Sequence, residues 1–227
     1  MHHLIPKTDN YLLQTSPESP VQLEAAPLGD NRFRSLLTPD EWSTLPQAVR
    51  NRFSKTLTNG RTVVYTGIVT VCRISRAGWC LANLLRCIGA PLPVSTDTQI
   101  PATVVITEDT KADGQFWTRI YSRKKRFPVI IQSSKRFCGV TGLEEYIGYG
   151  VGIALRLSSN SKGLDFFSDH YFLEAKQHRV RIPAWLTPGE LVVSHIDRGN
   201  NGFEFVLRLT HSLLGELVYQ KIRFKNR

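Results

Sequence analysis

The chain has 227 residues, 41% of them hydrophobic and 21% charged, with a formal net charge of +10 at pH 7. This composition is ordinary for a folded globular domain, and neither an apolar run of about 18 residues nor a signal-peptide pattern occurs, so we expect a cytoplasmic protein without a transmembrane helix. The positive charge favours an anionic partner such as a membrane surface, whereas nucleic acid is disfavoured because no basic motif of known geometry is present.

The four cysteines show no spacing typical of a structural zinc site. Cys80 and Cys87 lie two helical turns apart, which is too far for a disulfide within one helix. We expect these two, together with Cys72 and Cys138, to be free thiols that behave as small buried hydrophobic side chains. The six histidines also lack metal-binding spacing, so the sequence predicts no metal site.

Residues 1–30 are rich in proline, serine and glutamine and lack a hydrophobic period, so we expect a flexible leader. A helix should begin next, because Thr38 can cap it and Glu41 can complete a capping box. Pro46 then restarts the chain as a second short helix. One helical face should be buried, formed by Trp42, Leu45, Val49 and Phe53.

Residues 62–72 are dominated by β-branched side chains after an Asn-Gly turn, so a strand is predicted there. Residues 75–88 carry a broad apolar stripe at helical spacing that includes Trp79 and Leu84, and Gly89 provides a C-terminal stop. About 14 residues are too few to cross a bilayer, so we expect a helix packed on the core. The arginines beside the stripe leave open a helix that lies on a membrane surface.

From residue 100 onward, apolar and polar residues alternate in segments of about ten residues, with turn sequences between them. This spacing is typical of an antiparallel sheet. We therefore predict a single α+β domain over residues 31–227. It should consist mainly of an antiparallel, strongly curved β-sheet or open barrel, with two or three short helices from the N-terminal third. Within the sheet, residues 144–159 are predicted to form one strand.

The sequence GYGVGIA at 148–154 partly matches a dinucleotide-binding fingerprint. Ile153 stands where the third glycine belongs, and a strand follows in place of a helix. The fingerprint requires a helix N-terminus that faces the pyrophosphate. We therefore interpret the glycines as a bulge or bend in a curved strand and predict no cofactor.

Alternation along one predicted strand places Trp117, Arg119 and Tyr121 on the same face. If this face is concave, Arg119 is a partly buried cation that requires an acidic partner such as Glu144 or Glu145. A charge among inward-facing aromatic side chains is a typical anchor for a ligand. A structural ion pair explains the same pattern equally well, so both interpretations stay open.

Two basic segments lie beside aromatic residues, at 122–127 and at 133–137 (SSKRF). Such segments can bind nucleic acid through phosphate contacts and base stacking. The simpler interpretation is a solvated hairpin tip whose charges discourage pairing with other sheets. A candidate anionic-surface site is formed by Arg123, Lys124, Lys125 and Arg126, and a binder of an anionic surface would also use Arg73, Arg76 and Arg86.

Four short motifs follow one another in a recognisable order: a W-x-R strand, a Gly–Glu–Gly stretch, a proline-containing loop and a closing G-x-L-V-x-Y. They correspond to Trp117 and Arg119; Gly142, Glu145 and Gly148; Ile182, Pro183, Leu186 and Pro188; and Gly215, Leu217, Val218 and Tyr219. Their order over roughly residues 30–227 resembles an uncharacterised bacterial domain family, found alone or fused behind saccharopine-dehydrogenase-like NAD(P)-binding reductases. The resemblance implies no cofactor and no established activity.

Together these features favour noncatalytic binding of an apolar or amphipathic small molecule, such as a lipid, in a pocket of the curved sheet. The expected ligand-binding residues are Trp117, Arg119, Tyr121, Glu145 and Tyr219. Two alternatives stay open: an accessory domain or enzyme that acts with a separate reductase, and a binder of an anionic membrane or nucleic-acid surface. No convergent set of titratable residues identifies an enzyme.

Overall fold

The structure, a computed structural model, describes residues 29–88, 92–176 and 178–225. Within these residues, three short α-helices lie in the N-terminal part: α1 (Pro39–Thr44), α2 (Gln47–Phe53) and α3 (Arg76–Leu85). Single turns of 3₁₀ helix lie at Arg34–Leu36, Arg86–Ile88 and Ala184–Leu186. In the described part of the chain, no helix is long and apolar enough to cross a membrane.

The rest of the described chain is mainly β-strand. The strands are β1 (Val63–Ile74), β2 (Ile100–Asp109), β3 (Gly114–Tyr121), β4 (Val129–Arg136), β5 (Glu144–Gly148), β6 (Val151–Asn160), β7 (Gly163–Ala175), β8 (His178–Arg181), β9 (Glu190–Gly199), β10 (Gly202–His211) and β11 (Gly215–Lys225). Every pairing between them is antiparallel. The predicted class, a mainly antiparallel sheet with short N-terminal helices, is therefore confirmed.

The sheet closes into a barrel of ten strands. Consecutive strands pair from β1 to β6. On its other side, β1 pairs with β11, β11 pairs with β10, β10 with β9, and β9 with β7. The pairing of β6 with β7 completes the ring. The short β8 pairs with the last part of β7, where β7 no longer pairs with β9. Closure gives the strands partners on both sides and encloses an interior.

One end of the barrel, near the β9–β10 turn, is covered by α2 and the residues before α1. The rings of Phe33 and Phe53 lie 5.0 Å apart and both contact Phe166 of β7. The guanidinium group of Arg52 donates hydrogen bonds of 3.1 Å to Asp197 at the end of β9. Aromatic packing and this ion pair close this end, which we call the plugged end.

The opposite end of the barrel is crossed by α3, directly after β1. Ser75 caps α3 by accepting a hydrogen bond from the amide of Gly78 at 3.1 Å. Gly78 rests on the backbone of β11, where a Cβ atom would lie only 2.0 Å from the carbonyl oxygen of Leu217. The strand registers bring the β3–β4, β5–β6 and β10–β11 turns to this side, which we call the α3 end.

The N-terminal helices follow their sequence signals. The hydroxyl of Thr38 accepts from the amide of Glu41 while the Glu41 carboxylate accepts from the amide of Thr38, so the predicted capping box is confirmed. Pro46 is the N-cap of α2, and Leu45 and Val49 are buried as predicted. The predicted leader, apart from its last two residues, lies outside the described residues, as does the predicted stop at Gly89.

The structure corrects the prediction of a single strand over residues 144–159. This segment forms two strands, β5 and β6, that pair with each other across a tight turn. Tyr149 and Gly150 in the turn have positive φ angles of 49° and 78°. Because glycine adopts such angles without steric cost, the Gly-Tyr-Gly sequence produces a chain reversal, and the expected irregularity occurs beside it as a register shift between Tyr146 and Gly148.

The expectations for α3 and for the cysteines were wrong in part. The helix packs on β11 at Gly78, whereas Trp79 and Leu84 of the apolar stripe are exposed to solvent. Ala82 is fully buried, so the prediction of a core-packing helix holds for this residue. All four cysteines are free, but only Cys72 is buried, because Cys80, Cys87 and Cys138 lie outside the core.

Candidate ligand-binding cavity

The barrel contains a cavity of about 360 Å³. Most of its wall is apolar and comes from α3 and several strands, including Leu81, Leu85, Ile147, Ile153, Phe166 and Leu209. Leu84 of α3 and Leu186 of the β8–β9 segment also line the cavity, although they are 69% and 59% exposed. The cavity therefore opens to solvent between α3 and residues 182–188.

Three charged residues line the cavity, and with Ser133, which forms hydrogen bonds to two of them, they make up what we call the ionic cluster: Arg119, Lys135, Glu145 and Ser133. The Nη2 atom of Arg119 donates to Oε1 of Glu145 at 2.8 Å and to the hydroxyl of Ser133 at 3.1 Å. The same Glu145 oxygen accepts a 2.6 Å hydrogen bond from Ser133, and its Oε2 accepts from Nζ of Lys135. Glu145 thus bridges two cations.

Strand register explains why these residues meet inside the barrel. Side chains alternate between the two faces of a strand, so Trp117, Arg119 and Tyr121 of β3 all face inward. On β4, Ser133 lies opposite Trp117. Lys135 of β4 in turn lies opposite Glu145 of β5, so three neighbouring strands supply the whole cluster.

The electrostatic environment keeps Glu145 ionised. Burial acts to raise the pKa of this carboxyl, but Lys135, Arg119 and the hydrogen bond from Ser133 outweigh burial and lower the pKa well below its usual value. Burial lowers the pKa of Lys135, an effect that Arg119 reinforces and Glu145 opposes. The stable anion of the cluster is therefore Glu145, and Lys135 is the cation whose charge burial disfavours.

Four of the five predicted ligand-binding residues meet at this cavity: Trp117, Arg119, Tyr121 and Glu145. Trp117 donates its indole N–H to Gln115 at 3.2 Å, which fixes the ring against the wall. The fifth residue, Tyr219, lies on the outer face of β11. Its ring centroid is 4.2 Å from the guanidinium carbon of Arg73, so it contributes nothing to the cavity wall.

The two candidate acidic partners of Arg119 point in opposite directions. Glu145 faces inward and forms the ion pair with Arg119. Glu144, its neighbour in β5, faces outward and pairs with Arg179 at 2.6 Å. Alternation along β5 separates the two carboxylates, as the period of a strand requires.

The prediction overlooked Lys135 and Ser133. Both belong to the segment SSKRF, which we interpreted as part of a solvated basic patch, yet their side chains are buried inside the barrel. A usable signal was present, because Ile131, Ser133 and Lys135 share one strand face in the same way as the residues of β3. Reading the segment as a hairpin tip concealed this alternation.

The predicted basic turn, Arg123 to Arg126, connects β3 to β4 at the α3 end. Arg123 lies 3.8 Å from Asp97, whereas Lys124, Lys125 and Arg126 are exposed. The turn therefore lies outside the cavity but on the same end of the barrel as its opening. No cluster of three or more potential metal ligands occurs in the described ranges of the chain.

The fold and the site define a closed antiparallel β-barrel with a mainly apolar internal cavity and a buried ionic cluster. The chain belongs to the family described as a domain of unknown function (DUF4166), whose model matches residues 45–224. The predicted resemblance to an uncharacterised domain family is thereby confirmed, whereas the fusion to reductases stays a prediction. The match covers all but the last residue of the barrel strands and every residue of the ionic cluster. No curated protein and no solved structure matches the chain.

Proposed function

We propose that the protein binds, without chemically converting it, an apolar or amphipathic small molecule in the barrel cavity. The observation that carries this proposal is a mainly apolar cavity of about 360 Å³ that opens to solvent and contains one cluster of charged side chains. Small-molecule sites typically have a volume of about 300–1,000 Å³ and a few convergent polar groups in an apolar wall. Both features are present here.

The number of strands supports a cavity over a filled core. The diameter of a barrel grows with its strand number, and at about eight strands side chains can just fill the interior. This barrel has ten strands. Its plugged end is filled by aromatic rings such as Phe53 and Phe203, and the unfilled volume lies towards the α3 end.

The chemistry of the cavity wall favours binding over catalysis. Among the described residues that line it, Glu145 carries the carboxyl group. Two cations hold this group ionised, so it is a weak base at neutral pH. The tyrosines in the wall are also poor acids, because burial raises the pKa of Tyr121 and of Tyr171. A reductase partner stays a prediction of the family resemblance.

A titration with an apolar, uncharged fluorescent probe, such as N-phenyl-1-naphthylamine, tests this proposal. The wild-type protein should bind one probe per chain with increased fluorescence. Val193 lines the cavity, so Val193→Trp should fill part of it and weaken binding at least tenfold. Ile130 lies on the outer face of β4, so Ile130→Trp is the matched control and should bind as the wild type does.

Equal probe binding by the wild type and both variants would locate the probe elsewhere and contradict the proposal. Thermal unfolding of each variant shows whether the fold is retained. A protein that unfolds cooperatively but binds no probe would also contradict the proposal.

A second candidate function is contact with an anionic membrane surface through the α3 end. Exposed basic residues here form no ion pair with the described residues: Arg76, Arg86, Lys124, Lys125, Arg126 and Lys176. Exposed apolar side chains accompany them: Trp79, Leu84, Phe127, Tyr149, Leu186 and Leu213. Mixed basic and apolar residues favour the interface of an anionic bilayer over nucleic acid, which offers no apolar layer. A ligand could then pass between the bilayer and the cavity opening.

A further inference from the structure

The cavity wall carries an unbalanced positive charge. Three charged side chains line it among the described residues, and two of them, Arg119 and Lys135, are cations. Both form their ion pair with the same carboxylate, Glu145. Isolated charges in an apolar enclosure are costly, so a cavity with two cations and one anion favours a second anion.

The guanidinium group of Arg119 retains donors for such an anion. Its hydrogen bonds to Glu145 and Ser133 both use the Nη2 atom. Nε and Nη1 donate to none of the described residues, and the side chain keeps 21% of its surface exposed although it lies inside the barrel. Because guanidinium N–H groups form a planar fork that matches an oxyanion, these donors can bind an acidic head group.

The rest of the cavity wall is mainly apolar, with Thr187, Gln220 and two tyrosines as its other polar residues. Beyond the ionic cluster, Leu81, Leu85, Ile153 and Leu209 line the space that leads from Arg119 towards the opening beside Leu84. At about 30 Å³ for each water molecule, the volume equals roughly a dozen waters, which suits a ligand of on the order of a dozen heavy atoms. The wall thus separates a polar inner site from an apolar channel.

We propose that the cavity binds an amphiphile with an anionic head group, which contacts Arg119 and Lys135, and an apolar chain that extends towards the α3 end. This inference rests on the proposed function and specifies its ligand class. The head group supplies the missing negative charge, and the chain fills the apolar channel. Glu145 orients both cations and repels an anion from its own side, so the free donors of Arg119 define the position of the head group.

Displacement of the fluorescent probe by matched twelve-carbon compounds tests the inference. Dodecanoate should displace the probe at least tenfold more effectively than dodecan-1-ol, which has the same chain without the charge. Dodecyl phosphate, as a further compound, distinguishes a phosphate head group from a carboxylate. A preference for either anion over the alcohol supports the inference.

Two single substitutions locate the head group. Arg119→Gln and Lys135→Met each remove one cation but leave the other paired with Glu145, so the fold should be retained. Each variant should lose most of the preference for the anion over the alcohol. Arg208 is exposed on the outer face of β10, so Arg208→Gln is the matched control and should keep the full preference.

The outcomes separate this inference from the proposed function. Equal displacement by dodecanoate and dodecan-1-ol in the wild type overturns the anionic head group and leaves apolar binding in place. An anion preference that survives in both cation variants overturns the assignment to Arg119 and Lys135. If none of the compounds and no probe binds, the proposed function fails and this inference fails with it.

Discussion

Glu145 is the carboxylate that forms ion pairs with both cations inside the barrel. Its two oxygens separate the charges of Arg119 and Lys135 and accept a further hydrogen bond from Ser133. Buried ion pairs contribute little net stability in themselves, but removing one partner leaves an uncompensated charge. The cluster is therefore expected to be more sensitive to loss of Glu145 than to loss of either cation.

We predict that Glu145→Gln lowers the free energy of unfolding by about 3–5 kcal/mol, because Arg119 and Lys135 then face each other without a counter-ion. Chemical denaturation at neutral pH measures this change. Glu190→Gln, at an exposed carboxylate, should change stability by less than about 0.5 kcal/mol. Adding Lys135→Met to Glu145→Gln should recover part of the loss. A double variant as unstable as the sum of its parts would contradict the coupling.

His195, one of the six histidines, is buried. Its ring stacks on Phe203 at 4.8 Å and contacts Phe53 and Phe205 edge-on. Neither ring nitrogen has a hydrogen-bond partner among the described residues. Burial, with a smaller contribution from Arg52, lowers the pKa of His195 to about 3. The folded protein therefore holds this histidine neutral.

We predict that His195 makes the fold acid-sensitive. In the unfolded chain a histidine titrates near pH 6.5, so below that pH the unfolded state binds a proton that the folded state rejects. Its contribution to stability is complete above pH 6.5 and falls by about 1.4 kcal/mol per pH unit as the pH drops towards 3. His195→Phe should remove this slope. Parallel curves of unfolding free energy against pH for the two proteins would contradict the prediction.

At the scale of elements, α3 acts as a cover held by close backbone contact. Gly78 allows the helix to approach β11, and the helix then presents Leu81 and Leu85 to the cavity. The arrangement explains why part of the apolar stripe of α3 remains exposed. One side of the helix contacts the barrel, another lines the cavity, and the remaining apolar side chains surround the opening.

We predict that Gly78→Ala lowers the free energy of unfolding by about 1–3 kcal/mol, because the added methyl group collides with the carbonyl of Leu217. Helix propensity alone would give the opposite sign, since alanine is favoured over glycine by about 1 kcal/mol within a helix. Cys80→Ala on the exposed side of α3 is the control and should leave stability unchanged. Stabilisation by Gly78→Ala would show that α3 does not pack closely on β11.

Local signals predicted the individual elements well where one period dominates. The capping box at Thr38 and the inward face of Trp117, Arg119 and Tyr121 both follow from short patterns. The same alternation should have identified Lys135, but a cluster of basic residues was interpreted as a turn. The β5–β6 reversal was missed because Gly148 and Gly150 are compatible with a bulge as well as with a turn.

At the scale of the whole molecule, closure and cavity arise from pairings that no local pattern specifies. The contact between β6 and β7 is a simple hairpin, but the pairing of β1 with β11 joins residues about 150 positions apart. A cavity is also defined by volume that side chains leave unfilled. That volume depends on strand number and on α3 together, so the sequence could suggest a pocket but not distinguish it from a filled core.

The two ends of the barrel also differ in surface chemistry, which leads to a prediction for the second candidate function. The triple variant Lys124→Gln, Lys125→Gln and Arg126→Gln should reduce binding to anionic vesicles by on the order of 100-fold, at about 1 kcal/mol for each basic residue near the bilayer. A variant with equal charge loss at the plugged end, Arg61→Gln, Lys111→Gln and Lys162→Gln, is the control.

Vesicle co-sedimentation at low and high salt measures this difference. Binding by the wild type should weaken as salt increases, because exposed charges are screened within about 10 Å at 0.1 M salt. Equal binding by both triple variants would show that the α3 end does not face the bilayer. Binding to single-stranded nucleic acid but not to vesicles would favour the other anionic partner.

The central claim is that the barrel cavity holds a small molecule, and native mass spectrometry of gently purified protein tests it most directly. We predict a fixed mass increment above the chain of 25.7 kDa, in a ratio of one per chain. Denaturing extraction should release one amphiphilic compound, and Val193→Trp should purify without it. A mass equal to that of the bare chain in repeated preparations, with no uptake of added amphiphile, would contradict the claim.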